Sequence, residues 1–245
     1  MIYPLPQPSD YKGYLKYLSH YEYEALKPVN ADFMVKNGVT GENLLDMACW
    51  DGTATRYYGD RLNIPSLYGA DCEHDKLGEA KARGVDVRTC DFETQPLPFP
   101  DGMFDVVVAN QIFEHLKQIY RPISEVHRVL KPGGYFLFSV PNLGALHCRI
   151  QLLLGKQPST IKVFEAHVRA FSIPAAREFL TLNDHFEIVA FRGSGLYPFP
   201  PPWSERLSRV FNSLAVFQVY LLRKREGTGP NWQEHIVAKG VQSNF

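Results

Sequence analysis

A chain of 245 residues with 45% apolar residues is long enough to bury one substantial core, read here as one main domain with a cap. Lys plus Arg and Asp plus Glu balance at 26 each, so no global basic field exists to draw nucleic-acid phosphates or an anionic membrane, and neither partner is expected. The four cysteines show no CxxC or metal-ligand spacing, and the opening "MIYPLPQPSDYKGY" has neither a basic nor an apolar leader region, which predicts a cytoplasmic protein with reduced thiols and no metal.

In chain order, Tyr11, Tyr14, Leu15, Leu18, Tyr21, Ala25 and Leu26 fall on one helical face, and Lys27-Pro28 predicts the end of that helix. Residues 1–42 thus read as an N-terminal helical cap on a domain spanning 43–245. "NLLDMAC" from Asn43 is a short buried strand, with a helix from about Thr53 to Leu62 behind it. "SLYGADC" is a second strand, followed by a helix from about Asp75 to Arg83; "DVRTCDF" is a third. "FDVVVANQIF" opens almost wholly apolar, as a strand buried on both faces of a parallel sheet does. Pro122 suits the first turn of the next helix, Ile123, Val126, Val129 and Leu130 form its apolar stripe, and Gly133-Gly134 predicts its stop. "YFLFSVPN" is strand five. Strands alternating with helices predict an α/β fold with a Rossmann-like doubly wound sheet.

After Asn142 the alternation breaks. An amphipathic helix between Gly144 and Gly155 and an irregular run to Phe171 predict a substrate-cap insert over 143–171, with a helix from about Ser172 to Leu182 next. "FEIVAFRG" and "VFQVYLLRK" supply two closing strands, and between them a second insert, about 196–215, carries a helix expected to turn Leu207, Val210, Phe211 and Leu214 inward.

Ligands of an open parallel sheet sit beyond the carboxyl ends of its strands. Those ends carry Asp46-Met47-Ala48-Cys49-Trp50-Asp51-Gly52, then Asp71, then Asp91-Phe92, then Asn110-Gln111. Small residues allow close backbone approach, and carboxylates can take ribose hydroxyls and an exocyclic amine, so the set suits a nucleoside. A dinucleotide needs three glycines spaced over one turn, and only Gly52 is present; a Gly-x-x-x-x-Gly-Lys loop is missing too.

Four stretches in order, "DMACWDG", "YGADCEHDKL", "CDFETQPLPFPDGMFDVVVANQIFEHL" and "EVHRVLKPGGYFLFSVPN", resemble the class I S-adenosylmethionine-dependent methyltransferases over roughly Asn43 to Asn142. The resemblance implies S-adenosylmethionine as cofactor and a seven-stranded sheet whose last strand is antiparallel. The family's acid-x-Gly-x-Gly-x-Gly loop is matched by Asp46, Ala48, Trp50 and Gly52, so alanine and tryptophan stand where it has glycines. That loop holds the cofactor provided Trp50 needs no positive φ and lines the mouth. Asp71 with Cys72 is expected at the ribose, Asp91 with Phe92 at the adenine, Asp46 at the methionyl part, and Asn110-Gln111 beside them.

His115 follows strand four, where the family brings its acceptor, and His167 lies in the first insert; each is a candidate base whose unperturbed pKa is near neutrality. Glu114 and Glu165 read as solvated or structural. "NQIF" lacks the paired prolines of exocyclic-amine nucleic-acid methyltransferases, and the strand ends offer no magnesium carboxylates. The expectation is O-methylation of a small molecule or sugar-related acceptor. A carbon acceptor such as a quinone ring is the alternative, and a cofactor-binding accessory protein is the reading from another class.

Overall fold

The computed structural model describes residues 11–72, 75–164, 166–200 and 202–240, with side chains from residue 24 onward. Seven strands form one sheet in the order β3-β2-β1-β4-β5-β7-β6. They are β1 (Asn43–Met47), β2 (Ser66–Asp71), β3 (Asp86–Thr89), β4 (Phe104–Asn110), β5 (Leu130–Pro141), β6 (Phe186–Ser194) and β7 (Phe217–Lys224). The first five run parallel, and β7 enters antiparallel between β5 and β6. The order reverses at β1, between β2 and β4, and a crevice opens beyond the strand ends there.

Strand periodicity explains the two-layer core. Val106 and Val108 of β4 pack on one face with Leu44, Leu137, Val219 and Leu221, while Val107 and Ala109 pack on the other with Leu45, Phe136, Phe138 and Tyr220. The first face is covered by α1 (Tyr11–Lys36), α2 (Thr53–Leu62) and α3 (Leu77–Ala82); the second by α4 (Tyr120–Val129) and α6 (Ile173–Leu180). The remaining helices are α5 (Leu146–Leu153), α7 (Trp203–Val210) and α8 (Trp232–Ala238). No helix among the described residues is long and apolar enough to cross a membrane.

Four sequence expectations need correction. The first helix does not end at Pro28 but runs through it to Lys36. A mid-helix proline costs about 3 kcal/mol, and the burial of Leu26, Ala31, Phe33 and Met34 below and beyond it offsets that cost. Gly133-Gly134 does not stop a helix; α4 ends at Val129 and the pair lies inside β5, where Gly133 has φ 74° and a Cβ on Gly134 would meet Asp105 O at 3.1 Å. On α7 the buried residues are Ser204 and Ser208, while Val210 is 73% exposed and Phe211 half exposed. Glu205 turns the helix: its carboxylate accepts from Ser194 Oγ at 2.7 Å, Gly195 N at 3.1 Å and Arg192 Nη2 at 2.8 Å. Finally, α8 was not expected, although "NWQE" contains its capping box of Asn231 and Glu234.

Candidate active site

The loop after β1 turns sharply. Ala48 (φ 59°), Trp50 (φ 48°) and Gly52 (φ 76°) all occupy the left-handed region, the conformation glycine adopts without cost. The condition placed on Trp50 from the sequence therefore fails, since its backbone does take a positive φ. Its indole nevertheless points outward, 56% exposed, and edges the cavity without filling it. Gly52 is required by packing: a Cβ there would stand 2.8 Å from Ala80 Cα on α3. Backbone bonds hold the loop, with Ala48 N donating to Ala70 O at 2.7 Å and Gly52 N to Cys49 O at 2.8 Å. Arg83 adds a bond from Nη1 to Asp51 O at 2.9 Å.

A cavity of about 610 Å³ opens over this loop, within the usual range of small-molecule sites. Asp46, Ala48, Trp50, Asp71, Asn110, Gln111 and His115 line it. Asp71 accepts from Trp50 N and Cys72 N, both at 2.8 Å, which ties the strand-two carboxylate to the strand-one loop. Asp46 is buried and accepts from Thr55 Oγ1 at 2.7 Å. Burial pushes its carboxyl up to about 7 against the Thr55 bond, and Asp71 pushes the same way. A cation placed beside Asp46 and Asp71 would find a carboxylate ready to ionise.

Other expected residues lie outside the cavity. Cys72 is exposed, with its thiol raised by burial and by Asp71, and Phe92 belongs to the core. Asp91 faces solvent and closes its own turn, accepting from Thr94 Oγ1 at 2.7 Å and Glu93 N at 2.9 Å; the Thr94 bond leads in lowering its pKa. Cys49 and Cys90 are buried and held up to about 12 and about 11 by desolvation, so neither is a nucleophile. Glu24 and Lys27 also wall the cavity, which no sequence motif signals. They come from the helix expected to end before reaching the site, and Asn30 Nδ2 pins that helix to Asn110 Oδ1 at 2.9 Å.

The first insert packs against the segment after β4. Val168 N and Arg169 N donate to Glu114 O at 2.9 and 3.1 Å, and Arg169 also donates to Leu116 O at 3.0 Å and to Lys117 O. His115 and His167 are brought together with ring centroids 4.7 Å apart, His115 edging the cavity and His167 standing behind it. His115 Nδ1 lies 3.3 Å from Ala166 O, and His167 Nδ1 lies 3.0 Å from Thr160 O. Burial, then His167, lowers the His115 pKa, so its neutral form prevails at pH 7. Glu114 is not solvated. It is 1% exposed, and burial pushes its carboxyl up to about 8. The Gln111 amide satisfies its neighbours when its nitrogen donates to Glu114 Oε1 at 3.2 Å and its oxygen accepts from Ser139 Oγ at 2.9 Å. Glu165 lies outside the described residues.

Comparison with known proteins agrees with this geometry. Residues 45–138 match a family model described as a methyltransferase domain. A probable S-adenosylmethionine-dependent methyltransferase of Mycolicibacterium smegmatis is 36% identical over 104 residues, 42% of this chain and 39% of that protein. Residues 45–138 thus belong to the methyltransferase domain family, and the chain is similar there to S-adenosylmethionine-dependent methyltransferases. The demethylmenaquinone methyltransferase of Thermus thermophilus is 32% identical over 111 residues, 42% of this chain and 50% of that protein. The chain thus spans only about two-fifths to half the length of these relatives. A solved S-adenosylmethionine-dependent methyltransferase of Thermotoga maritima, a possible histamine N-methyltransferase, superposes with TM-score 0.57 at 20% identity, covering 87% of this chain and 95% of that one. That likeness supports the fold. Membership implies S-adenosylmethionine as cofactor, and the residues fit it: a buried carboxylate pair faces a cavity of nucleoside size at the sheet's switch point.

Proposed function

We propose that this methyltransferase transfers the methyl group of S-adenosylmethionine to an oxygen of a small-molecule or sugar-related acceptor. The observation that carries the reading is the His115–His167 pair at the edge of a carboxylate-lined cavity. The cofactor supplies an electrophilic methyl carbon on a positive sulfur. Asp71 takes the ribose hydroxyls, Asp46 faces the methionyl part, and Asp91 is the proposed partner of the adenine amine. The turn from Ala48 to Gly52 seats the nucleoside, and α1 shields the cavity from water through Glu24 and Lys27. Methyl transfer is an in-line displacement, so alignment supplies much of the rate. His115, with Nδ1–H directed at Ala166 O, keeps its Nε2 lone pair free to take the acceptor's proton as the oxygen attacks.

Methylation of a ring carbon is the second reading, favoured by the similarity to a protein that acts on demethylmenaquinone. The test is transfer of a labelled methyl group by the purified chain to a panel of alcohols, phenols, sugars and quinols. Oxygen acceptors are expected to be labelled, with turnover about 100-fold lower in His115→Ala. Labelling confined to ring carbons, or histidine variants with normal turnover, excludes the oxygen reading with a histidine base.

A further inference from the structure

The docking of the first insert on the segment after β4 assembles three metal-ligating side chains. One donor atom each from Glu114, His115 and His167 lies within 4.8 Å of the other two. The carboxylate is buried, and its Oε2 has no hydrogen-bond partner. A polar oxygen so enclosed is unfavourable unless something binds it. Each imidazole directs Nδ1 at a backbone carbonyl, of Ala166 and of Thr160, which fixes the tautomer and leaves the Nε2 lone pair for a ligand. Backbone carbonyls orient metal-bound histidines elsewhere in this manner. Gln111 holds the second Glu114 oxygen, as an outer partner of a ligating carboxylate does.

We propose that Glu114, His115 and His167 bind one divalent transition-metal ion at the edge of the cavity. Two imidazole nitrogens and one carboxylate suit zinc or its first-row neighbours, whereas an all-oxygen set would suit magnesium or calcium. With ligand bonds of about 2.1 Å, the donors of a tetrahedral site stand about 3.4 Å apart. The donor atoms, within 4.8 Å of one another, would draw in by side-chain rotation on binding. Three protein ligands leave an open position, and His115 sets it toward the cavity. Coordination there would lower the pKa of an acceptor hydroxyl so that its proton passes to solvent water, and the imidazoles would act as ligands in the loaded protein and His115 as base only without the ion. The catalytic role of the ion rests on the methyltransferase reading; its binding does not.

The test uses the untagged full chain, stripped by a chelator and titrated with Zn2+ by calorimetry and with Co2+ by visible absorption. One ion per chain is expected, with affinity at least tenfold weaker in Glu114→Gln, His115→Ala and His167→Ala. His167→Cys, which keeps a ligand atom, is expected to recover binding and guards against mere misfolding. No Zn2+ binding by the wild-type chain, or equal affinity in His167→Ala, overturns the site. S-adenosylhomocysteine binding is titrated separately. Cofactor binding without ion binding defeats the metal site alone, and ion binding without cofactor binding defeats the proposed function alone.

Discussion

Trp50 concentrates the physical question in the cofactor loop. A tryptophan at φ 48° is held in a backbone state that costs an L-residue about 1 kcal/mol or more, and its exposed ring recovers little of that by burial. Trp50→Gly is therefore expected to raise the unfolding free energy by about 1 kcal/mol in urea titrations and to leave S-adenosylhomocysteine affinity unchanged or modestly weaker. A large gain in affinity would show that the indole obstructs the site. Asp71 differs, because its carboxylate both anchors the loop at Trp50 N and faces the cavity. Asp71→Ala should weaken the cofactor by about 1–3 kcal/mol in calorimetry, and unchanged affinity would remove it from the ribose. Asp46 yields a pH dependence. Its carboxyl sits near 7 in the fold against the usual 3.8, so between those values the folded chain holds a proton that the unfolded chain releases. Stability is accordingly lost as pH rises from about 4 to about 7, by at most about 4 kcal/mol at 1.36 kcal/mol per unit. Burial sets this value, with the Thr55 bond opposing it and Asp71 adding to it. Asp46→Asn keeps an acceptor for Thr55 and should flatten that part of the profile; equal losses between pH 4.5 and 7.5 in both proteins would contradict the assignment.

Most strands and helices from Asn43 to Asn142 were legible because apolar period and turn chemistry agree there, the exception being Gly133-Gly134, which lies inside β5 instead of stopping a helix. Where two signals compete, the sequence misleads. Pro28 says stop, yet the apolar positions beyond it fit the groove beside β1 and α2, and tertiary burial outweighs the missing bond. On α7 the apolar stripe points inward by pattern, but Glu205 has three donors to satisfy on β6 and its far side, so the helix turns its serines down. Arg192 and Glu205 form a largely buried pair at 2.8 Å. Glu205→Ala leaves the Arg192 charge and the Ser194 hydroxyl without that partner and is expected to cost about 3 kcal/mol, measured as a shift of the urea midpoint. A loss below about 0.5 kcal/mol would mean that α7 is held by its other contacts. Site legibility follows the same rule: residues at strand ends are found by topology. Glu114 reads as one more polar residue until the distant loop carrying Val168 and Arg169 is seen to cover it.

The crevice at β1 joins parts far apart in sequence: α1 through Asn30 and Asn110, the loop after β1 through Asp71, and the first insert through Glu114. A ligand bound there contacts several of these at once, so its binding energy should be felt across the fold instead of in one loop. Saturation with S-adenosylhomocysteine at about 100 times its Kd contributes about 2.7 kcal/mol to the folded state. At roughly 2–4 °C per kcal/mol for a chain of this size, the melting temperature should rise by about 5–11 °C. The distribution of that stabilisation is more informative than its size. The Asn30–Asn110 bond couples α1 to the end of β4, and Glu24 and Lys27 edge the cavity. Amide exchange in 26–34 is therefore expected to slow together with exchange in 46–52 when the ligand is added. Asn30→Ala should uncouple the two, leaving protection in 46–52 and removing the gain in 26–34. If exchange in α1 of the wild-type chain ignores the ligand, the helix is a passive wall and the site is built by the sheet edge alone.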